Sequence, residues 1–481
     1  MKKLLHISVG ATLILTGCLS RELKVNPNVV VPDTFDNASL AQGGDVDDAA
    51  WWASFGDPQL SELVKRALKN NRSLKAAEAT LHNAKAKRMG AVANLLPSVG
   101  ASGSAISQET LINPDGTTQG GIYGVAAQWD LDIFGMNRNK ARAMTQMKYA
   151  AAEKLRGTRM AVASETAKAY LTFQNVLARK EALRKSIEIQ AQTLQVVSER
   201  LPEGMSSTFD VDRAETILAA TEAAMPRLEL AQTQLLGALS VLTGQPATGF
   251  HLESNADWSV IKVPEPPSVI PSTVLIRRPD VQAAKRMVEA QMFAVGASKA
   301  AYYPKFNFNL FAGGESLSFS PNLYGVTDNG AGFYKDLNGP VTDMGVGVTL
   351  PIFTFGKIRA AVKGEEAKLD SVAALYENTI LEAVADAETS YHAYALSSKR
   401  VEHLAKSATS AAGAVDKIDG LYTGGLADLT DVLSTKVIYQ QRTDELLQGE
   451  LERVISTISL RDALGGFREV PDEMQSSHAN L

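Results

Sequence analysis

The hydrophobic pattern of this chain changes its period in a fixed order and then repeats that order. An Ala-rich stretch with Lys, Arg and Glu interspersed predicts a helix over 59–95 that ends at Pro97. A similar stretch predicts a second helix over 272–302, ending at Pro304. Each gives way to a Gly- and Ser-rich region of period two. In the later region Phe306, Phe308 and Leu310 alternate with Asn307 and Asn309. Met344, Val346, Val348 and Leu350 then alternate with Gly345, Gly347 and Thr349. The earlier region is weaker: Val99 to Ile106 with small residues, then Ile122, Val125 and Trp129 before Asp130. These patterns predict two β-hairpins, about 97–131 and 304–350, with Asn, Asp, Gly and Ser in the loops.

Long helical runs follow both hairpins. No proline occurs over 137–200, where Gly157 is the one interruption, and none occurs over 357–421. At about 1.5 Å per residue such a helix reaches roughly 90 Å, which suits a coiled coil or a tube. Val176, Leu183 and Val197 share a seven-residue spacing whose remaining place is Gln190, while Ile187, Leu194 and Leu201 share another. Two heptad stripes, with Ala, Ser and Gln between them, predict a helix with neighbours on both sides.

The recurrence is an internal duplication. Residues 70–77 align with 277–284 at an offset of 207, which also carries Leu95-Leu96-Pro97 onto Tyr302-Tyr303-Pro304. Beyond the hairpins the offset is 221: Phe134-Gly135 falls on Phe355-Gly356, Arg138 on Arg359, Tyr170 on Tyr391, Asp210-Val211 on Asp431-Val432, and Gly244 on Gly465. The second copy thus carries 221 − 207 = 14 extra residues between Pro304 and Phe355. The expected organisation is a leader 1–17, an N-terminal segment 18–50, a first repeat 51–250, a Pro-rich linker 251–271, a second repeat 272–466 and a tail 467–481. Pro226 should mark the point where one helix ends and the next stacks on it.

Composition narrows the function. The formal net charge of −5 and the absence of a long Lys/Arg block give no reason to expect nucleic acid. Lys2 and Lys3 precede an apolar run from Leu4 to Leu15, an export signal rather than a structural helix. Cys18, the one cysteine, excludes an intramolecular disulfide. The mature chain has no stretch of 18 consecutive apolar residues, so a membrane crossing would require a closed β-barrel. Four strands cannot close one, but three protomers would supply twelve. The six His form no i, i+4 pair of metal-ligand type, and there is no G-x-S-x-G and no phosphate-cradling glycine loop. The reading is therefore no enzyme, no cofactor and no metal.

Five stretches in order resemble the TolC-like outer-membrane efflux proteins, and most of all their lipoprotein branch that serves RND-type pumps. They are WWASFGDPQL at 51–60, RRPDV at 277–281, WDLDIFG at 129–135, LPIF at 350–353 and LTGQP at 242–246. Leu15-Thr16-Gly17-Cys18 resembles the bacterial lipobox, which implies a lipid on Cys18 and, with Leu19 following, sorting to the outer membrane. The resemblance implies an α+β membrane protein. Its long-helix α-barrel continues a trimeric twelve-stranded outer-membrane β-barrel, four strands per protomer, with a mixed belt around the middle. Trp51 and Trp52, far from the strands, are placed on that belt rather than at the lipid interface. The implied partners are two further copies of the chain, a periplasmic adaptor, an inner-membrane RND pump and outer-membrane lipid.

The two helical turns, 201–211 and 422–432, align, with Gly204 on Gly425 and Ser207 on Asp428. Ser207 and Asp428 stand where N-caps of the returning helices are expected. By resemblance these turns form the periplasmic mouth, and Gly204, Gly424 and Gly425 mark the tips an adaptor contacts. Asp428, Asp431 and Ser434 share one helix face, so a trimer would hold rings of Asp at a cation-selective gate, with pKa values raised when the mouth is shut. Asp431 is assigned to the gate, and Asp428 stays open between cap and gate. Ser434 stands where a second gate acid can occur, and Ala427 where an arginine can pair across the turn. Tyr422 and Asp210 match a closure hydrogen bond. Type I protein secretion, metal-ion efflux and a lipid-anchored coiled-coil scaffold without a pore are the alternatives. The duplicated hairpins speak against the scaffold.

Overall fold

The computed structural model describes residues 29–35, 50–110, 113–252, 258–265, 269–319 and 336–466. The leader 1–17, Cys18 and the tail 467–481 lie outside the described residues, as do parts of segment 18–50, of the linker and of both hairpin loops. The chain divides into two compact units.

One unit comprises His82–Ala150 and Lys285–Leu375. Its centre is an antiparallel sheet of order β1-β2-β3-β4: β1 (Ser98–Thr110), β2 (Asn113–Leu131), β3 (Lys305–Phe319) and β4 (Asp336–Thr349). The register sorts the side chains cleanly. Val99 and Ala101 of β1 share a face with Tyr123, Val125, Ala127 and Trp129, with Phe306, Phe308 and Leu310, and with Met344, Val346 and Val348. The opposite face carries Ser102, Ser104, Gln128, Asn307, Asn309 and Thr349. Most of the apolar face is open, Met344 being 71% exposed and Val346 66%. A row this apolar and this exposed is an interaction surface rather than a solvated one. Phe311 is an aromatic residue on the polar face, which also holds Ile122 and Val341. Its ring lies over Gly124 and Gly313, where any Cβ would approach ring atom Cζ within 2.8 and 2.9 Å.

The two hairpins are superposable in register. Ser98 faces Gln128 in the first and Lys305 faces Thr349 in the second, so β1 maps onto β3 by 207 and β2 onto β4 by 221. These are the two offsets the sequence alignment requires.

The other unit comprises Asn28–Leu81, Ala151–Ala284 and Tyr376–Leu481. The predicted helix over 59–95 is in fact two, α1 (Pro58–Asn70) and α2 (Arg72–Ala93). At the break Asn71 turns extended, its Oδ1 accepts from the Leu74 amide at 3.1 Å, and its Nδ2 donates to the Leu242 carbonyl at 3.0 Å. The predicted helix over 272–302 breaks in the equivalent place. There α6 (Pro271–Arg277) stops at Arg278, whose backbone is extended because Pro279 follows it, and α7 (Pro279–Lys299) begins. Arg278 Nη1 donates to the Ala463 carbonyl at 3.3 Å, the counterpart of the Asn71–Leu242 contact at the same two offsets.

The long runs form α3 (Met136–Arg200) and α8 (Lys357–Thr423). The returning segment of the first copy is α4 (Thr208–Glu222) and α5 (Met225–Leu242), separated just before Pro226, while the second copy returns as one helix, α9 (Leu429–Ala463). The first heptad stripe of α3 is core: Val176, Leu183, Gln190 and Val197 are all buried. Gln190 is accommodated there because its Oε1 accepts from Thr221 Oγ1 at 2.7 Å. The second stripe, Ile187, Leu194 and Leu201, is half-buried.

The tryptophan motif packs the core of this unit. Trp51, Trp52 and Phe55 are buried with Leu60, Leu63, Tyr170, Phe173, Leu239 and Ile458. Asp57 does two jobs: Oδ1 caps α1 by accepting from the Gln59 amide at 2.8 Å, and Oδ2 accepts the Tyr170 hydroxyl at 2.5 Å. Burial, followed by this carboxylate, pushes the Tyr170 phenol far above its ordinary range. Tyr391, its counterpart, packs its ring at a tilt against Phe35, centres 5.5 Å apart, and accepts from the Val269 amide.

Candidate functional site

The helical tip is built twice from the same devices. At the end of α3 the Met205 amide donates to the Arg200 carbonyl and the Gly204 amide to that of Leu201. At the end of α8 the Leu426 amide donates to Leu421 and the Gly425 amide to Tyr422. Both are Schellman turns, and each needs a left-handed residue, supplied by Gly204 at φ 70° and Gly425 at φ 73°. Capping boxes then start the returning helices. Ser207 accepts from the Asp210 amide while Asp210 Oδ2 accepts from the Ser207 amide at 2.9 Å. Asp428 Oδ1 accepts from the Asp431 amide at 2.8 Å, and Asp431 Oδ2 accepts from the Asp428 amide at 3.3 Å. Asp428 is therefore the N-cap of α9, and Asp431 its reciprocal partner. Ser434 lies one turn on and donates to the Asp431 carbonyl at 3.1 Å.

Tyr422 and Asp210 do not meet in a hydrogen bond. Asp210 is held by its own cap, where the Ser207 backbone and side-chain donors lower its pKa. Tyr422 turns its ring to Arg200, whose guanidinium lies 4.9 Å from the ring centre, and packs against the cluster of Val197, Ala214, Leu429 and Leu433.

Other side chains join the two helical hairpins here. Lys436 of α9, 8% exposed, extends its Nζ to Asp419 Oδ1 of α8 at 2.8 Å and to Thr193 Oγ1 of α3 at 2.9 Å. Arg213 of α4 donates to Thr430 Oγ1 of α9 at 2.7 Å. Lys436 borders a cavity of about 260 Å³ whose walls include Gln192, Val196, Asp419 and Tyr422. The sequence held one signal for it: Leu429, Val432, Leu433 and Lys436 share helical spacing, which puts a charge on the apolar face. The tip also exposes Met205, Phe209 and Leu426, three large apolar side chains in open positions.

The RRPDV stretch serves the second helix break. Arg278 Nη2 donates to Asp280 Oδ2 at 2.6 Å and to Asp386 Oδ2 at 3.2 Å, and the Arg277 carbonyl accepts from Arg156. Burial raises the pKa of Asp280, but the hydrogen bond and charge of Arg278 outweigh it and leave the carboxyl below its ordinary value. A folded pKa below the unfolded one contributes stability that is full above the ordinary carboxylate range. It is lost as pH falls through the folded value. Replacing Arg278 with methionine removes the lowering partner and leaves the burial. The variant should melt below the parent at neutral pH, and the gap should narrow as pH falls through the carboxylate range, because Asp280 no longer loses stabilisation there, as measured by thermal melts of the detergent-solubilised protein.

A sheet with one open apolar face and two unpaired edge strands, on a chain whose long helices turn back in capped hairpins, defines the exit-channel class of outer-membrane proteins. A family model described as "Outer membrane efflux protein" matches residues 63–245 and again 270–466. The chain belongs to the outer membrane efflux protein family. The pyoverdine export outer membrane protein OpmQ of Pseudomonas aeruginosa is 25% identical over 95% of this chain and 96% of its own length. The probable outer membrane lipoprotein SilC of Salmonella typhimurium is 25% identical over 97% of this chain and 99% of its own length. Among solved structures, the outer-membrane channel OprN matches 92% of this chain and 99% of its own at a TM-score of 0.79 and 24% identity. The open-state MtrE channel of Neisseria gonorrhoeae matches 93% and 98% at 0.80 and 23%. The fold is that of the TolC-like channels, and the protein is an outer-membrane component of an efflux system.

Proposed function

We propose that three copies of this chain, each lipid-anchored through Cys18, form one exit duct that carries drugs or other small molecules across the outer membrane. An inner-membrane RND pump and a periplasmic adaptor deliver the cargo, and the duct itself performs no chemistry. The observation that supports this most is the sheet: apolar on one face, polar on the other, and unpaired at β1 and β4, so that only closure with further copies satisfies both edges. The tips at Gly204, Gly424 and Gly425 take the adaptor, with Met205, Phe209 and Leu426 supplying apolar contact. The mouth is gated by Asp431, with Asp428 and Ser434 on the same face of α9.

Single-channel conductance in planar bilayers, paired with the mass in detergent, tests this reading. A trimer of small, cation-selective conductance is expected. Asp431→Asn keeps the capping acceptor but removes the charge, so it should cut cation selectivity with little gain in conductance. Asp431→Ala breaks the capping box as well, at a cost of about 1 kcal/mol, and should also raise conductance. A monomer without conductance in every variant would sink the duct.

A further inference from the structure

The internal repeat carries more than a family likeness, because it relates one junction inside the protomer to one that the protomer leaves open. Within the chain the first hairpin meets the second through β2 and β3, with Leu131 opposite Phe306 and Gln128 opposite Asn309. The duplication maps β2 onto β4 and β3 onto β1. The image of the β2–β3 junction is therefore a junction of β4 with a β1 that belongs to another copy. We infer that β4 of one protomer pairs antiparallel with β1 of the next in the register fixed by these offsets: Thr349 opposite Ser102, Val348 opposite Gly103, and Val346 opposite Ala105. This rests on the trimeric reading above and adds to it the identity of the residues that meet.

Two independent features agree with that register. The first is the pleat. Val346, Val348 and Leu350 fall opposite Ala105, Gly103 and Ala101, so the apolar face continues across the seam. Thr349 opposite Ser102 continues the polar face. A slip of one residue would set every apolar side chain of β4 against the polar face of its partner.

The second is the strand-to-helix junction. In the first copy this corner is complete: Asp132 accepts from the Asn137 and Arg138 amides at 2.9 and 2.7 Å, and Phe134 stacks on Tyr303 with ring centres 4.7 Å apart. The equivalent corner has Phe353 in place of Asp132 and Phe355 in place of Phe134. Phe355 stands 90% exposed at φ 49°, the one non-glycine residue with positive φ among the described residues. Its neighbours Ile352 and Phe353 are open too, at 90% and 73%. Among the described residues only Phe353 makes a ring contact with Phe355. The position corresponding to Tyr303 is Leu96, itself open at 65%. In the inferred register Leu96 of the next protomer lies where Tyr303 lies over Phe134, and it covers Phe355. A strained, exposed aromatic is retained because the neighbouring copy buries it.

Paired strands bring opposite Cα atoms to about 4.5–5.5 Å, within the span of a disulfide, and a two-residue slip moves the partner about 7 Å away. The full-length chain carrying Ser102→Cys with Thr349→Cys should therefore oxidise in outer membranes to a covalent trimer on non-reducing gels. Gly100→Cys or Ser104→Cys, each combined with Thr349→Cys, lie on the same face and should cross-link several-fold less. The parent chain, with Cys18 alone, is the background. If a shifted pair cross-links better than Ser102 with Thr349 while the mass remains trimeric, the register is wrong and the duct stands. If no pair cross-links and the mass is that of a monomer, both fail.

Discussion

Gly465→Val is expected to leave little folded protein, and Gly244→Val to do nearly the same. Each glycine closes a Schellman turn at the end of a returning helix and lies against a helix break of its own copy. At Gly465, with φ 94°, a new Cβ would come within 2.7 Å of Arg277 Cβ and 3.0 Å of both the Arg277 carbonyl carbon and the Arg278 nitrogen. At Gly244, with φ 71°, it would lie 2.6 Å from the Asn70 carbonyl oxygen. The obstacle in both is largely backbone, which cannot swing aside, and a β-branched residue adds strain at positive φ. A loss of about 3–4 kcal/mol is expected, a large share of the stability of an ordinary domain. Gly425→Ala is the control: φ is equally positive at 73° but no atom lies within 4 Å of the new Cβ. Its cost should be limited to the left-handed backbone, about 1–2 kcal/mol. Denaturant or thermal unfolding of the three variants measures this. A Gly465→Val protein as stable as Gly425→Ala would show that the close approach to Arg277 does not constrain the fold.

Lys436→Met is expected to free the tip. The substitution keeps the buried apolar stem and removes only the ammonium that ties α9 to α8 and α3. Asp419 is 60% exposed, so losing its partner leaves it solvated rather than stranded. The fold should therefore tolerate the change. If the link between the two hairpins contributes about 1–2 kcal/mol to the closed mouth, the open population rises roughly 5- to 30-fold. That increase would be read as higher mean conductance or longer open dwell times. Asp419→Asn, which keeps a hydrogen-bond acceptor for Lys436, should have the smaller effect. Equal conductance in Lys436→Met and the parent would assign the link to packing alone. Tyr422→Phe discriminates further: because Tyr422 engages Arg200 through its ring, loss of the hydroxyl should change conductance little.

How much of this was legible in the chain depends on the range of the interactions involved. Ser207, Asp428 and the glycines at 204 and 425 were legible as caps and turns because every group that satisfies them lies within five residues. The strand faces were legible because a period of two is itself the register. The heptad through Val176, Leu183, Gln190 and Val197 was legible for the same reason, even with a polar residue in one place. The helix breaks at Asn71 and Arg278 were missed, although Pro279 and the capping asparagine were in plain view. An Ala-rich run on both sides masked a one-residue interruption. The closure bond from Tyr422 to Asp210 came from likeness alone; in this protomer Asp210 closes its own cap with Ser207 and Tyr422 faces Arg200. Lys436 was missed because its partners lie 17 residues away on α8 and 243 residues away on α3.

The sequence by itself determined the elements, their order, their duplication and the faces they present. These follow from periodicity, proline placement and capping, all of which act over one or two turns of chain. Only the tertiary structure decided which of the polar groups at the tip are consumed by their own helices and which remain to join one hairpin to the other. It also decided that Trp51 and Trp52, the Asp57–Tyr170 pair and the Arg278 cluster hold the core and the helix breaks. Such pairings depend on where distant segments pack, and burial then forces each polar group to take whichever partner packing brings within reach.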